Sequence, residues 1–280
     1  MRKKPMLAYP VSDKPIDYTQ PVFMQPKLDG VRCLIQYDNS VVTAYSRTGK
    51  QWLNINHILQ SLKPFFQANP NVILDGELYN HALKDDFEKI ISCVRKQKPT
   101  DIDKAESRRL VQFHCYDIVD ETMTFDERYK FVDFNLKDPS IYGVRTVQTH
   151  EVHAEKYAYQ LHDTFLNNGF EGSILRLNDV YQCKRSHSLR KFKDFHDAEA
   201  TLTSWVEGKG KRVGTIGKFM AVDADGNEFG MPVMDNFKKL QTMFDEMKTW
   251  VGKEATFTYF ERTKAGSYRH PLFKAIRDYE

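Results

Sequence analysis

The alternation of apolar and polar positions marks Val31–Tyr37 and Val41–Ser46 as the strands of a hairpin turned at Asp38-Asn39-Ser40. Ile55, Ile58, Leu59, Leu62 and Phe66 then recur at helical spacing. A short apolar strand follows over Val72–Tyr79, and a helix is expected over Asp86–Val94. After the charged stretch Arg95–Arg109 comes a strand over Leu110–Val119. Thr149 is placed to cap a helix from about His150 to Asn168, with Gly169 as its stop. Strands around Gly172–Leu177 and Leu189–Asp194 complete this part. The pattern then changes to short strands at Ala198–Val206, Gly214–Val222, Glu228–Met231, Ala255–Phe260 and Leu272–Arg277, separated by glycine turns. Phe237, Leu240, Met243, Phe244, Met247 and Val251 form the apolar stripe of one helix among them. Five short strands and one helix suit a small all-β barrel of the OB type. The expected class is therefore α+β, with antiparallel sheets and flanking helices in residues 1–196 and an OB barrel in 197–280.

Composition changes this picture little. The chain has 280 residues, 41% hydrophobic and 28% charged, with a formal net charge of +3. Residues 196–280 carry 13 Lys+Arg and 13 Asp+Glu, so contact with nucleic acid must come from local patches and not from bulk charge. Cys33, Cys93, Cys115 and Cys183 are scattered with no CxxC pair, which argues against a zinc module and for a reducing compartment. The absence of a long apolar run argues against a membrane span. The basic start is followed by no apolar core, so no secretory signal is expected.

Four short motifs carry candidate chemistry. In Lys27-Leu28-Asp29-Gly30-Val31-Arg32, Asp29-Gly30 is a turn signal that presents the Lys27 amine at a strand end. A lysine attacks only when neutral, and nearby cations favour that state. Asp75-Gly76-Glu77 ends an apolar strand with a carboxylate suited to a ribose or a metal. Glu171-Gly172 enters another strand, with a carboxylate suited to Mg²⁺ held largely through water. In Lys191-Phe192-Lys193, strand alternation puts both lysines on one face, where they repel unless an anion lies between them. Taken singly, each has an ordinary reading: a solvated turn, a hairpin, a loop charge, an exposed strand.

The order and spacing of the set resembles the covalent nucleotidyltransferase superfamily, and the whole chain resembles the small ATP-dependent DNA ligases of viruses and bacteriophages. Asp197-Ala198-Glu199-Ala200, after the KxK strand, is also family-like. The resemblance implies that Lys27 is the AMP-accepting nucleophile, that Arg32 and Glu77 hold the ribose side, and that Tyr116 stacks on adenine. It implies a metal role for Glu171 and phosphate contacts for Lys191, Lys193 and Arg185. Arg47 would receive the 5′-phosphate of the nick, and Arg277 and Asp278 would touch pyrophosphate. The implied cofactors are ATP and Mg²⁺, with Mn²⁺ as a substitute. The implied partner is nicked duplex DNA in replication, repair or recombination, bound by a monomer in the cytoplasm, that of a host cell if a virus encodes the chain. A hinge is expected at His196–Asp197. The early position of Lys27 and the short loop 207–214 leave an open grip on DNA, with Lys209, Lys211 and Arg212 on its phosphates. An mRNA capping guanylyltransferase and an RNA ligase share this chemistry, and a non-catalytic nucleic-acid-binding OB protein is the alternative from another class.

Overall fold

The computed structural model describes residues 3–192, 196–259, 261–262 and 266–277. The chain divides into two compact units, Met1–Lys193 and Asp194–Glu280. In chain order, the first contains strands β1 (Leu7–Pro10), β2 (Val22–Pro26), β3 (Val31–Asp38) and β4 (Val41–Tyr45), then helices α1 (Asn56–Ser61) and α2 (Lys63–Ala68). Next come β5 (Ile73–Tyr79), α3 (Phe87–Val94), α4 (Asp101–Leu110), β6 (Gln112–Ile118), α5 (Phe125–Leu136), β7 (Val144–Thr146) and β8 (His150–Val152). Helix α6 (Glu155–Asn167), β9 (Ser173–Leu177) and β10 (Arg185–Phe192) end the unit.

These strands form two mixed, largely antiparallel five-stranded sheets, ordered β4-β3-β5-β6-β7 and β1-β10-β9-β2-β8. The first packs its apolar face on helices, burying Ile35, Leu74, Phe113, Ile58, Phe66, Val94 and Val132 in one cluster. The hairpin joining β3 to β4 turns through Asn39 and Ser40, both at positive φ (48° and 65°), as two-residue hairpin turns require. The polypeptide passes from one sheet to the other between β2 and β3, and the segment that crosses is 27–30.

Several local expectations change. The run from Ile55 to Phe66 is two helices, because Pro64 lacks an N–H and sits in the first turn of a fresh helix. Thr149 does not cap a helix. Its hydroxyl accepts from the Gln25 amide (2.8 Å), residues His150–Val152 pair with β2 as an edge strand, and α6 begins at Glu155. Within the charged stretch before β6, Thr100 and Asp103 form a reciprocal capping box that starts α4, and Thr124 with Glu127 does the same for α5. Gly169 does terminate α6, at φ 80°.

The second unit contains β11 (His196–Glu207), β12 (Ile216–Val222), β13 (Glu228–Pro232), α7 (Phe237–Trp250) and β14 (Glu254–Tyr259), then the short β15 (Glu261–Arg262) and β16 (Tyr268–Arg269), and β17 (Leu272–Ile276). Its main sheet runs β13-β12-β11-β14-β17, antiparallel throughout. The first half of β11 pairs with β14 and the second half with β12, with register shifts at Leu202/Ser204 and Val206/Glu207. Such bulges bend a strand so that one sheet can curl over one core, here Phe219, Phe257, Met231, Leu240 and Met243. Among the described residues no ladder joins β13 to β17, so the sheet curls without closing, as in the partly open barrel of the OB type. Among the described residues no helix is long and apolar enough to cross a membrane.

Candidate functional site

Lys27 follows β2 directly and is fixed through its backbone. Its N–H donates to Gly172 O (2.9 Å), and the N–H of Glu171 donates to Lys27 O (3.1 Å). The same exchange brings the Lys27 ammonium onto Glu171 Oε2, joining residues 144 positions apart in an ion pair whose carboxylate side chain is only 6% exposed. Two motifs are therefore one structural feature.

Two of the motif glycines serve close approach. Gly30 and Gly76 both lie outside the positive-φ set, so neither is needed for a left-handed turn. A Cβ on Gly30 would run into the Leu78 carbonyl and lie 2.7 Å from Glu77 Cγ. A Cβ on Gly76 would sit 2.5 Å from His114 O and from the Phe113 ring. Gly30 thus lets the segment 27–30 lie against β5, and Gly76 lets β5 press onto β6 where their register shifts.

Arg32 and Glu77 face each other across the β3–β5 ladder. The guanidinium forks onto Asp75, Nε to Oδ1 at 2.5 Å and Nη2 to Oδ2 at 2.5 Å, and donates also to Met6 O (3.2 Å). Asp75 is fully buried and accepts a further bond from the Tyr181 hydroxyl (2.7 Å). Burial opposes the charge on Arg32, but Asp75 more than offsets it and the guanidinium pKa lies well above its ordinary value. Glu77 has no such dedicated partner. Burial pushes its pKa up to about 7 against the opposing pull of Arg32 and Lys27. The Tyr116 hydroxyl donates to Glu77 Oε2 (3.3 Å).

Tyr116 projects from β6 with the Arg32 guanidinium carbon 5.1 Å and that of Arg176 5.3 Å from its ring centroid. Lys191, on β10, is partly buried. Its pKa is lowered by burial first, then by the neighbouring Lys27 and Arg185 cations. Lys27, Arg32, Arg47, Glu77, Tyr116, Arg185 and Lys191 all line one cavity of about 260 Å³. Glu171 reaches it through Lys27. Lys193 and Asp278 lie outside the described residues.

The remaining expected residues belong to the second unit. Lys209 and Lys211 are exposed on the loop between β11 and β12. Arg212 turns inward and donates to Ile216 O and Val233 O, both at 3.0 Å. The loop is also stitched by Gly208 N to Thr215 O (2.9 Å) and Gly214 N to Glu207 Oε1 (2.7 Å). Arg277 pairs with Glu199.

Sequence reasoning missed Asp75, Gln25 and Arg176. Gln25 is 1% exposed: its amide donates to Tyr116 O and the Thr149 hydroxyl, and its carbonyl accepts from Arg176 Nε (2.8 Å). Arg176 continues to Asp117 Oδ2 (2.6 Å), which Arg128 also grips. The signal was strand alternation: Gln25 shares a face with Lys27, Asp75 with Glu77, and Arg176 with Ile174.

The described groups offer no cluster of three or more metal-ligating side chains. One carboxylate, Glu171, beside a lysine nevertheless fits a cation that keeps most of its water and takes its other oxygens from a bound ligand.

A family model for the ATP dependent DNA ligase domain matches residues 5–193. The DNA ligase of African swine fever virus (isolate Pig/Kenya/KEN-50/1950) is 30% identical over 210 residues, 71% of this chain and 48% of that protein. The chain thus spans about half the length of the curated relatives it matches. A solved Lig E DNA ligase superposes on 99% of this chain and 100% of its own, with TM-score 0.80 at 22% identity. The bacteriophage T7 ATP-dependent DNA ligase, solved with ATP, covers 98% of both chains with TM-score 0.56 at 20% identity. At these identities the two structures speak for the fold, and it is the family model's match over residues 5–193 that shows this chain to belong to the ATP-dependent DNA ligase domain family.

Proposed function

We propose that the chain is an ATP-dependent DNA ligase that seals 3′-OH/5′-phosphate nicks in duplex DNA through lysyl-AMP. The observation that carries this reading is the placement of the Lys27 amine on the Glu171 carboxylate, in a cavity also lined by Glu77, Tyr116 and Lys191. Tyr116 offers a ring for the purine and Glu77 an acceptor for the ribose hydroxyls. Lys191, with Lys193 after it, meets the phosphates.

In the first step Lys27 Nζ gives up a proton and attacks the α-phosphorus. An N–P bond forms, the bond to the bridging oxygen breaks, and pyrophosphate leaves with that electron pair. In the second, a 5′-phosphate oxygen of the nick attacks the same phosphorus, and Lys27 leaves as the amine and regains a proton. In the third, the 3′-hydroxyl loses its proton and attacks the 5′-phosphorus. The phosphodiester forms and AMP departs. Glu171 aims the amine and, with the lysine displaced, is the residue to hold Mg²⁺ or Mn²⁺, which would offset charge on the phosphates. Arg47 takes the 5′-phosphate. Lys209 and Lys211 lie on phosphates of the duplex, while Arg212 keeps their loop in shape.

The test is incubation with α-labelled ATP and Mg²⁺, followed by a nicked duplex. ATP and not GTP should label the protein, Lys27→Ala should abolish the label, and addition of nicked DNA should release it as AMP with sealing. Arg47→Ala should label normally and seal slowly. Labelling by GTP would identify a capping enzyme, and labelling of Lys27→Ala would sink the covalent mechanism.

A further inference from the structure

Strand alternation puts Tyr79 on the same face of β5 as Glu77, and His114 on the same face of β6 as Tyr116. Two residues further along each strand, the space between the two sheets therefore continues into a second cavity of about 340 Å³. It shares only Pro26 and Leu28 with the cavity around Lys27. The two linings differ in kind. The first presents Lys27, Arg32, Arg176 and Lys191, whereas the second is lined by no Asp, Glu, Lys or Arg among the described residues. Its walls are aromatic: Tyr79 meets His114 edge-on with ring centroids 5.3 Å apart, and His81 lies 4.5 Å from Phe170. Polar atoms break these walls at a few points. His114 Nε2 lies 3.0 Å from Gln112 Oε1, which places the ring proton there and leaves Nδ1 as an acceptor. Burial first, then the Arg145 and His81 charges, brings the His114 pKa down to about 4, so the ring is neutral at neutral pH. The Gln148 and Asn168 carboxamides line the same space and offer both donors and acceptors.

A lining without cations rejects a phosphate, because a buried anion left unpaired is costly. Donors and acceptors set among aromatic rings answer to a flat heterocycle better than to a hydrocarbon, and the volume lies at the small end of the roughly 300–1,000 Å³ usual for ligand cavities. We propose that this cavity is a separate site for an uncharged nucleobase or nucleoside, from which the occupant acts on Lys27. Pro26 and Leu28 flank Lys27, and Phe170 precedes Glu171. An occupant touching these three braces the exchange of backbone hydrogen bonds between Lys27 and the Glu171-Gly172 segment. It thereby holds the ammonium on the Glu171 carboxylate, the paired and charged form from which a lysine does not attack. This effect on Lys27 rests on the ligase reading, whereas the binding does not.

The experiment measures adenosine binding by calorimetry in saturating ATP without divalent metal, so that the cavity around Lys27 is filled and no label forms. Adenosine should still bind, and AMP, with its unpaired phosphate charge, should bind there about tenfold more weakly or worse. Thr164→Trp and Gln148→Trp fill the cavity from two different walls, each starting from an exposed residue. Both variants should melt like the parent and lose adenosine affinity by about tenfold or more. With Mg²⁺ present, adenosine should lower kcat for ATP labelling of Lys27 in the parent and leave kcat unaltered in both variants. Displacement of adenosine by ATP, equal affinity for AMP, unchanged binding by both variants, or a rise in KM for ATP with no fall in kcat would overturn the proposal. Binding is read without turnover, so a protein that binds adenosine beside ATP and never labels would refute the ligase reading and sustain the site.

Discussion

Three cations lining the cavity around Lys27 and three lining an adjoining cleft of about 710 Å³, Lys4, Arg47 and Lys184, are held in opposite ways. In the cavity Lys27 rests on Glu171, Arg32 on Asp75, and Arg176 on Asp117 and Gln25. In the cleft Lys4, Arg47 and Lys184 meet no carboxylate among the described residues. A charge paired with the protein has its direction fixed before a ligand arrives, which suits chemistry in which a reacting atom must lie within a fraction of an ångström. A solvated charge keeps its freedom and gives up counterions when an anion binds, which suits a backbone grasped without regard to sequence. One region orients and the other attracts.

The sharpest way to break this comparison is to remove a carboxylate from the cavity. Asp75→Ala leaves the Arg32 guanidinium, 19% exposed in its side chain, without its fork. Loss of one partner of a buried pair costs about 3–5 kcal/mol, so urea melts should show a destabilisation of that order together with loss of Lys27 labelling. A loss under about 1 kcal/mol would show that Arg32 is held by Met6 and solvent alone. A middle-sized effect is expected from Glu77→Gln. Because the folded-state pKa of Glu77 is raised to about 7 from its ordinary 4.5, the folded protein keeps a proton that the unfolded chain releases between these values. The associated stability is complete below about pH 4.5 and falls away as pH rises to about 7. Thermal melts of the Gln variant should therefore lose less stability than the parent across that window, and parallel curves would count against a Glu77 whose site favours its protonated form. The smallest effect belongs to Lys209 and Lys211, exposed on the second unit. Their double alanine variant should leave stability and labelling alone and reduce the salt slope for nicked DNA by roughly 2. An unchanged slope would make them solvated residues of a hairpin.

The difference between the two regions also marks how far the sequence could be read. Lys27, Glu77, Tyr116, Glu171 and Lys191 stand in short motifs whose spacing is visible without coordinates, and the hairpin of β3 and β4 was announced by alternation and by Asn39-Ser40. Asp75, Gln25, Asp117 and Arg176 were not visible as a group. They meet only because β2, β5, β6 and β9 lie side by side, and a buried ion pair leaves no local trace beyond one charge in an apolar strand. Helices α4 and α5 were legible in principle, since Thr100 with Asp103 and Thr124 with Glu127 are capping boxes, but charge-rich surroundings masked the first. The misplaced start of α6 came from reading Thr149 as a cap when its hydroxyl is committed to Gln25. Arg212 shows the converse limit: a cation in a glycine-rich loop looks free in sequence, and tertiary carbonyls decide otherwise.

The exchange of hydrogen bonds between Lys27 and the Glu171-Gly172 segment has a consequence for biosynthesis. Lys27, the proposed nucleophile, lies early in the chain, but its carboxylate and the carbonyl that pins its backbone arrive 144 and 145 residues later. Contacts so distant along the chain close late, after the entropy of a long loop has been overcome. A nascent chain that has emerged only as far as α6 displays the complete KLDGVR sequence and still lacks the geometry that would let it react with a nucleotide. On the proposed mechanism, chemical competence appears only with the arrival of β9, when most of the first unit has already been made.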